Sequence, residues 1–270
     1  LEAPAGVPLV LDAHDGTRVT SLAFSPDGRW LASGGEDKMA KLWDLQNPGA
    51  EPRSFESESW ETAVAFSQDS RWLAMTYDTL GDVHLWDLQN LDDAPILLEG
   101  HDNLVKDLAF SQDGQRLATA SYDRTTEIWE LQNPDAEPLV LRGHTNWVLS
   151  VAFSSDDRWL ATASLDGTTR LWDLDNPGVE SLVLRGHADA VNDVAFSPDD
   201  RWLVTASEDG IARLWTRSID LLLETSCQTA GRNLTQGEWN QYFPNEPYRR
   251  TCPDLPAHPS VLLDEEVAAP

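Results

Sequence analysis

The sequence predicts an all-β chain assembled from five copies of one small four-stranded sheet. Two observations carry that expectation. The tryptophans Trp43, Trp86, Trp129, Trp172 and Trp215 recur every 43 residues, a period at which internal repetition marks a unit of four short strands that cannot bury its apolar surface alone. Within one unit, Val140 to Leu174, which reads VLRGHTNWVLSVAFSSDDRWLATASLDGTTRLWDL, β-prone runs alternate with turn residues.

The first run of that unit contains Val148, Val151 and Phe153. Ser154 to Arg158 supply turn chemistry, Trp159 to Ser164 and Thr168 to Trp172 give the second and third runs, and Ser181 to Leu184 the fourth. Four such strands make a twisted sheet whose two faces are both too apolar to stay wet. Stacking neighbouring sheets around an axis buries both faces and leaves only short, protected edges.

Three motifs recur at the same period: the Gly-His of Gly143-His144, the Ala-Ser-x-Asp-Gly of Ala163 to Gly167, and the Leu-Trp-Asp of Leu171 to Asp173. On these motifs the chain resembles the WD-repeat β-propeller family, over roughly residues 9 to 217. The resemblance implies a β-propeller of four-stranded blades in residues 1–217, with five WD repeats in a closed ring or an incomplete one, followed by a helical and proline-rich C-terminal extension in 218–270.

In chain order, Leu1 to His14 aligns without gaps on Leu131 to His144, which points to a chain cut from a longer array. In the family, a segment like Leu9 to Asp12 is the outer strand of the preceding blade and closes the ring by joining the last one. Repeat one keeps His14 and Asp37 but has Gly35 where the others have Ser, and carries one extra residue before Phe24. Repeat two is the most worn: Ser57 takes the His position, Tyr77 the Ser position, and Asp78 to Gly81 lengthen the turn. Repeats three to five are regular, except that Gln115-Arg116 replaces the Arg-Trp pair seen in the other four. Asn-Pro turns punctuate the strands between blades.

After Trp215 the period stops. Ile219, Leu222, Leu223, Cys227 and Ala230 fall at helical spacing behind a Ser218 cap, and Thr235 to Glu238 has the form of a capping box opening a second helix that ends before Pro244. The segment from Cys227 to Pro253 resembles the tail that follows such arrays in large bacterial multidomain proteins carrying a signalling NTPase, kinase or protease module. That likeness implies a context and no chemistry. Cys227 and Cys252 read as buried thiols or as a pair tying the helix to the tail.

Composition narrows the function classes. Nineteen basic residues against 46 acidic ones give a net charge of −27, which repels a phosphate backbone and argues against nucleic acid as a partner. Hydrophobic residues make up 41%, but no run is long enough to span a bilayer. Leu1 to Pro8 lack the basic start and apolar stretch of a signal peptide, so the expected location is cytoplasmic. No histidine has a second His or Cys at ligand spacing, Gly34-Gly35 precedes acidic Glu36-Asp37 where a phosphate loop would need the reverse, and no cofactor is expected.

His144, Ser164 and Asp166 have the composition of a hydrolase triad. The set repeats as His101, Ser121 and Asp123 and as His187, Ser207 and Asp209, whereas an active site needs one activated nucleophile with an oxyanion hole beside it. The family resemblance instead implies a buried hydrogen-bond chain running from Asp through His and Ser to the indoles of Trp129, Trp172 and Trp215. Catalysis is not expected.

Function is then sought where the repeats differ. After the His position stand Arg18, Trp60, Leu104, Trp147 and Ala190; before the turn Asp stand Glu36, Tyr122, Leu165 and Glu208. The resemblance places partners on this face of a propeller. Trp60, Leu104, Tyr122, Trp147 and Leu165, with Glu36, Glu208 and Asp189 at the rim, would form an apolar patch with an acidic border, suited to a protein or peptide bearing Lys or Arg. Trp60 and Trp147 packed under their own loops is the competing reading. The expected function is a non-catalytic protein-binding or sensor module of a larger, bacterial signalling protein. The alternatives are a structural or autoinhibitory scaffold contacting other domains of its parent chain, and, third, an enzyme with its site in the propeller funnel.

Overall fold

A computed structural model describes residues 10–11, 14–58, 63–76 and 80–216. All regular structure among these residues is β. The first sheet consists of β1 (Val19–Phe24), β2 (Trp30–Gly35), β3 (Met39–Asp44) and β4 (Arg53–Glu56); the second of β5 (Val64–Phe66), β6 (Trp72–Thr76), β7 (Val83–Asp87) and β8 (Ile96–Leu98). The third holds β9 (Val105–Phe110), β10 (Arg116–Ser121), β11 (Thr125–Glu130) and β12 (Leu139–Arg142), and the fourth β13 (Val148–Phe153), β14 (Trp159–Ser164), β15 (Thr169–Asp173) and β16 (Leu182–Leu184). The fifth has three strands among the described residues, β17 (Val191–Phe196), β18 (Trp202–Ser207) and β19 (Ala212–Thr216). Each sheet is a meander in sequence order, and every strand pairing with a described register is antiparallel. The chain divides into two units, Leu1–Leu214 and Trp215–Pro270. The helices expected after Ser218, the segment Cys227 to Pro253 and both cysteines lie outside the described residues. Of the segment expected to close the ring, only Val10 and Leu11 are described, and neither is in a strand.

The turn between the first two strands of each sheet is built the same way every time. In the fourth, Ser154 Oγ donates to Asp156 and accepts from the Trp159 amide, while Asp156 accepts from the Arg158 amide at 3.1 Å. This small network is what the recurring Ser-x-Asp sequence encodes. The arginine that follows it lies over the adjacent indole, 4.5 Å from the ring centre for Arg29 on Trp30 and 4.6 Å for Arg71 on Trp72, and reaches the Asp of the Trp-Asp pair. In the third sheet Gln115 takes that place and accepts from Gln132 instead.

The core lies between sheets. Ala32, Ala40 and Leu42 of the first meet Val64, Leu73 and Met75 of the second; Val83, Leu85 and Leu98 meet Val105, Leu108 and Leu117; Ala118, Ala120 and Ile128 meet Val148, Val151, Phe153 and Leu160. Alanines on the second strand of each sheet let the next sheet approach closely, and its larger Val, Leu and Phe side chains fill the space.

A buried polar chain threads each regular sheet. His144 Nδ1 lies 2.9 Å from Asp166, its Nε2 lies 2.8 Å from Thr162 Oγ1, and the Trp172 indole donates to that hydroxyl at 3.0 Å. His101 repeats this with Asp123 (2.7 Å), Thr119 (2.7 Å) and Trp129, and His187 with Asp209 and Thr205. An ionised Asp only accepts, so Nδ1 carries the proton, Nε2 accepts from the threonine, and the threonine oxygen accepts from the indole.

The expected serine link is therefore corrected. Ser121, Ser164 and Ser207 do not bond the histidines: each accepts from the backbone amide of its turn Asp and donates to a loop carbonyl, Asn103, Asn146 or Asp189. The reason is strand geometry. Residues two apart share a face of a strand, and the serine, last in its strand, lies beside the turn backbone, whereas the threonine two positions earlier lies at the depth of the indole. In the first sheet Ser33 fills the threonine place, between His14 at 2.8 Å and Trp43 at 3.3 Å. A Cβ at Gly35 would overlap the His14 ring, which accounts for glycine there.

In the second sheet Met75, fully buried, stands where the others have the hydroxyl, and among the described residues the buried Trp86 Nε1 has no hydrogen-bond partner. Ser57, at the His position, donates to the Thr76 carbonyl at 3.2 Å. Sheet two has thus lost its polar chain at both ends.

Two stability predictions result. Thr162→Val removes the hydroxyl that both His144 and Trp172 use and leaves two buried polar groups unpaired, so it should cost about 2 to 4 kcal/mol, whereas Ser57→Ala removes a hydroxyl that bonds the Thr76 carbonyl and serves neither a histidine nor an indole, and should cost about 1 kcal/mol or less. Urea unfolding of the two variants measures both. Burial pushes the Asp166 carboxyl up, but hydrogen bonds from His144, Thr168 and the Thr145 amide outweigh it and hold it well below the usual carboxylate range. A carboxylate lowered in the folded state stabilises fully above its unfolded value near pH 4 and loses that contribution as the pH falls further. Between about pH 5 and pH 2 the urea midpoint of the wild type should therefore fall more steeply than that of Asp166→Asn.

Candidate functional site

The two sets of non-recurring positions lie side by side. In each regular sheet the residue before the turn Asp donates its amide to the carbonyl of the residue after the His loop: Glu36 to Arg18, Tyr122 to Leu104, Leu165 to Trp147 and Glu208 to Ala190, all at 2.9 Å. These bonds extend the pairing of the first two strands by one step beyond the ladder. Every such pair therefore sits at the same end of its sheet, beside the His–Asp bond.

Across the joint between sheets three and four, Tyr122 and Trp147 stack nearly parallel, with ring centres 4.2 Å apart and planes 11° off. Trp147 is 42% exposed, so it is not packed beneath its own loop. Its backbone is held by the Asn146 side chain, which accepts the Trp147 amide at 2.9 Å, as Asn103 does for Leu104 and Asp189 for Ala190. The aromatic pair lines an open cleft of about 540 Å³ together with Asp102, Asn103, Asp123, Arg124, Thr145 and Asn146. A second cleft of about 290 Å³ follows at the next joint, lined by Leu165, the Asp166–Thr168 turn and the Arg185–Ala190 loop.

The expected patch is thus divided. Tyr122 and Trp147 share one cleft and Leu165 belongs to the next, while Leu104, Glu36 and Glu208 line neither. Glu36 is occupied by Arg18 at 3.3 Å, so it is not an open acidic rim. Trp60 lies outside the described residues. Ala190 is buried.

Arg124, Asn146 and Asp102 are cleft residues that reading by position missed. Arg124 carried a signal: it follows the turn Asp where Gly167 and Gly210 stand in sheets four and five, and it adopts the same left-handed conformation, φ 77° against 79° for both glycines. A non-glycine residue pays about 1 kcal/mol or more there, and the exposed Arg124 side chain lines the cleft beside the aromatic pair. Burial raises the Asp123 carboxyl, but the His101 hydrogen bond and charge, with Thr125, hold it well below the usual carboxylate range. The cleft floor therefore stays negative at neutral pH, but its charge is already bonded to His101 and to the Asp102 and Thr125 amides. Asp102 is exposed at its edge. Among the described residues, neither cleft holds a nucleophile with an unengaged base beside it; His101, His144 and His187 are each committed on both ring nitrogens.

A family model for the WD domain, G-beta repeat, matches residues 7–44, 95–130, 137–173 and 178–216. The unmatched stretch between the first two segments holds three strands of the second sheet, β5, β6 and β7, and with them the positions at which its polar chain is lost. Among characterised proteins, the chain is similar to Protein HIR1 of Candida albicans, 32% identical over 115 residues, which is 43% of this chain and 10% of that protein. It is similar to the LST8 homolog of Drosophila melanogaster, 35% identical over 104 residues, 38% of this chain and 33% of that one. It is also similar to the target of rapamycin complex subunit LST8 of Bos taurus, 29% identical over 79 residues, 28% of this chain and 24% of that protein. The matches span no more than about a third of these relatives.

Proposed function

The chain belongs to the WD domain, G-beta repeat family, and on that premise we propose that it is a non-catalytic interaction module that docks a protein or peptide on the face bearing Tyr122 and Trp147. The observation that carries this reading is the stacked, part-exposed aromatic pair across the joint of sheets three and four. Aromatic residues bury large area at small entropic cost and dominate interface energetics. A rigid pair whose backbone is fixed by Asn146 and by the Leu165 amide is ordered before binding, which lowers the cost of association.

The chemistry of the cleft favours a Lys or Arg side chain of the partner. It would lie over the open face of Trp147 and meet Asp102 at the edge, a cation–aromatic contact reinforced by a carboxylate. The net charge of −27 would draw such a partner in. Among the relatives, one is by its name a subunit of a protein complex, in keeping with a binding role. The wider context, a sensor module of a bacterial signalling protein, rests on the resemblance of Cys227 to Pro253 alone.

The test is fluorescence titration of the chain with Lys- and Arg-bearing peptides and with their Gln counterparts, repeated on Trp147→Ala. The basic peptides should bind and the Gln series should not, and Trp147→Ala should weaken binding by about tenfold or more with an unchanged unfolding midpoint. Equal binding of both series, or a Trp147→Ala chain that binds as well as the wild type, would overturn the proposal.

A further inference from the structure

The hairpin that joins the second strand of each regular sheet to the third passes through a residue in the left-handed region, where glycine meets no steric cost. Sheets four and five have glycine there, Gly167 and Gly210, both at φ 79°. Sheet three has Arg124 at φ 77°, and sheet one has Lys38 at φ 62°. Two long cations thus stand where the backbone disfavours any side chain. Lys38 follows Glu36, which Arg18 already pairs. Arg124 instead lines the cleft that holds the stacked rings of Tyr122 and Trp147, and backbone strain kept at a binding surface points to a use of the side chain.

The charge of Arg124 is also unspent. The chain carries 46 acidic residues against 19 basic ones, and Arg18, Arg29, Arg53, Arg71, Arg158 and Arg213 each meet a carboxylate within 3.5 Å. Arg124 makes no ion pair and no side-chain hydrogen bond among the described residues, although Asp102 and Asp123 line the same cleft. Two more donors line it too. Asn103 and Asn146 each turn the side-chain oxygen onto the amide of the next residue, at 2.8 and 2.9 Å, which commits the oxygen and leaves the amino group without a partner among the described residues. The cleft therefore combines an aromatic surface, one exposed carboxylate and a set of side-chain donors that the described chain does not fill.

We infer that the cleft recognises a pair of opposite charges on one partner segment: a Lys or Arg on Trp147 and Asp102, and close to it in sequence an Asp or Glu whose side-chain carboxylate is bound by Arg124, with Asn103 and Asn146 donating to the same group. The inference rests on the docking role proposed for this face and narrows its partner from a basic segment to an acid–base one. A guanidinium holds a carboxylate through two parallel N–H···O bonds, and one matches one in charge. The partner's carboxylate also offsets the repulsion that Arg124 would exert on a lone Lys. A phosphate, nearly dianionic at pH 7, is held by arginine clusters, and here it would face Asp102, Asp123 and a net charge of −27. A chain-terminal carboxylate is captured by free backbone amides, but those of Asp102, Tyr122, Thr145 and Trp147 are spent on Asp123, Leu104, Asp166 and Asn146. A carboxylate side chain needs only the side-chain donors that remain.

Calorimetric titration of the full chain with amidated peptides of one length tests the inference, each combining a Lys or Gln with a Glu or Gln one, two or three residues further on. At its best spacing the Lys/Glu peptide should bind the wild type about tenfold more tightly than the Lys/Gln peptide. Arg124→Gly should abolish that difference, keep the preference for Lys over Gln, and hold the wild-type urea midpoint, since glycine takes the same φ in sheets four and five. Arg124→Glu should reverse the preference, so that a Lys/Lys peptide binds more tightly than Lys/Glu. Equal binding of the Lys/Glu and Lys/Gln peptides at every spacing would overturn the inference and leave the basic site standing. A Glu preference without a Lys preference would overturn the pairing, and a Glu preference lost together with a fallen urea midpoint would give Arg124 a structural role instead. Tighter binding of a phosphoserine peptide, or of one ending in a free carboxylate, would also overturn it. A chain that binds none of the peptides would remove both the inference and the docking role beneath it.

Discussion

A single buried hydroxyl governs each regular sheet. Thr119, Thr162 and Thr205 stand where a histidine nitrogen needs a donor, and at the first two an indole N–H also meets the same oxygen as acceptor. Neither the ring nor the indole has water to turn to at that depth. An unmade bond would cost more than the made one contributes, so the hydroxyl fixes how the loop carrying the histidine lies on the sheet. Through the histidine it also fixes the turn Asp, whose carboxylate in turn holds the loop amides of Asp102, Thr145 and Ala188. The loop end that presents Trp147 and Tyr122 is rigid because of a bond made some residues below it.

The second sheet shows the consequence of losing that hydroxyl. With Met75 in its place and Ser57 in place of the histidine, an indole is left without a partner among the described residues, and apolar packing of Phe55 against Trp86, ring centres 4.6 Å apart, holds the site instead. The stacking of sheets continues across it, because the alanine and leucine positions that make the joints are intact there. Polar chain and apolar joint are separable layers of the same repeat.

Much of this is legible in the sequence. The 43-residue spacing of the tryptophans predicts the sheets and their order, and the Ser-x-Asp and Asn-Pro runs predict the turns. The pairing of the two variable positions also comes from reading the repeat as aligned strands, since residues at matching offsets must face each other across a hairpin. Other features are not legible. Ser164 and Thr162 both recur, both can bond a histidine, and share a strand face, so only depth in the sheet separates them, which no spacing records. The open cleft is half legible: aromatic type at a variable position marks Tyr122 and Trp147, but position alone cannot say that they face across one joint while Leu165 belongs to the next. Arg124 is visible as a departure from Asp-Gly, but charge at a turn reads as solvated surface.

The central claim is that the hydroxyl at the Thr162 position, rather than apolar stacking alone, sets how firmly each sheet is closed. Native-state hydrogen exchange on the full chain tests it most directly. Amides of β10, β11, β14 and β15 should exchange only through global unfolding, while those of β6 and β7 exchange through a smaller local opening that stays accessible when denaturant is low. Protection of β6 and β7 equal to that of their counterparts in the third and fourth sheets would contradict the claim, because those strands would then be closed without a polar chain.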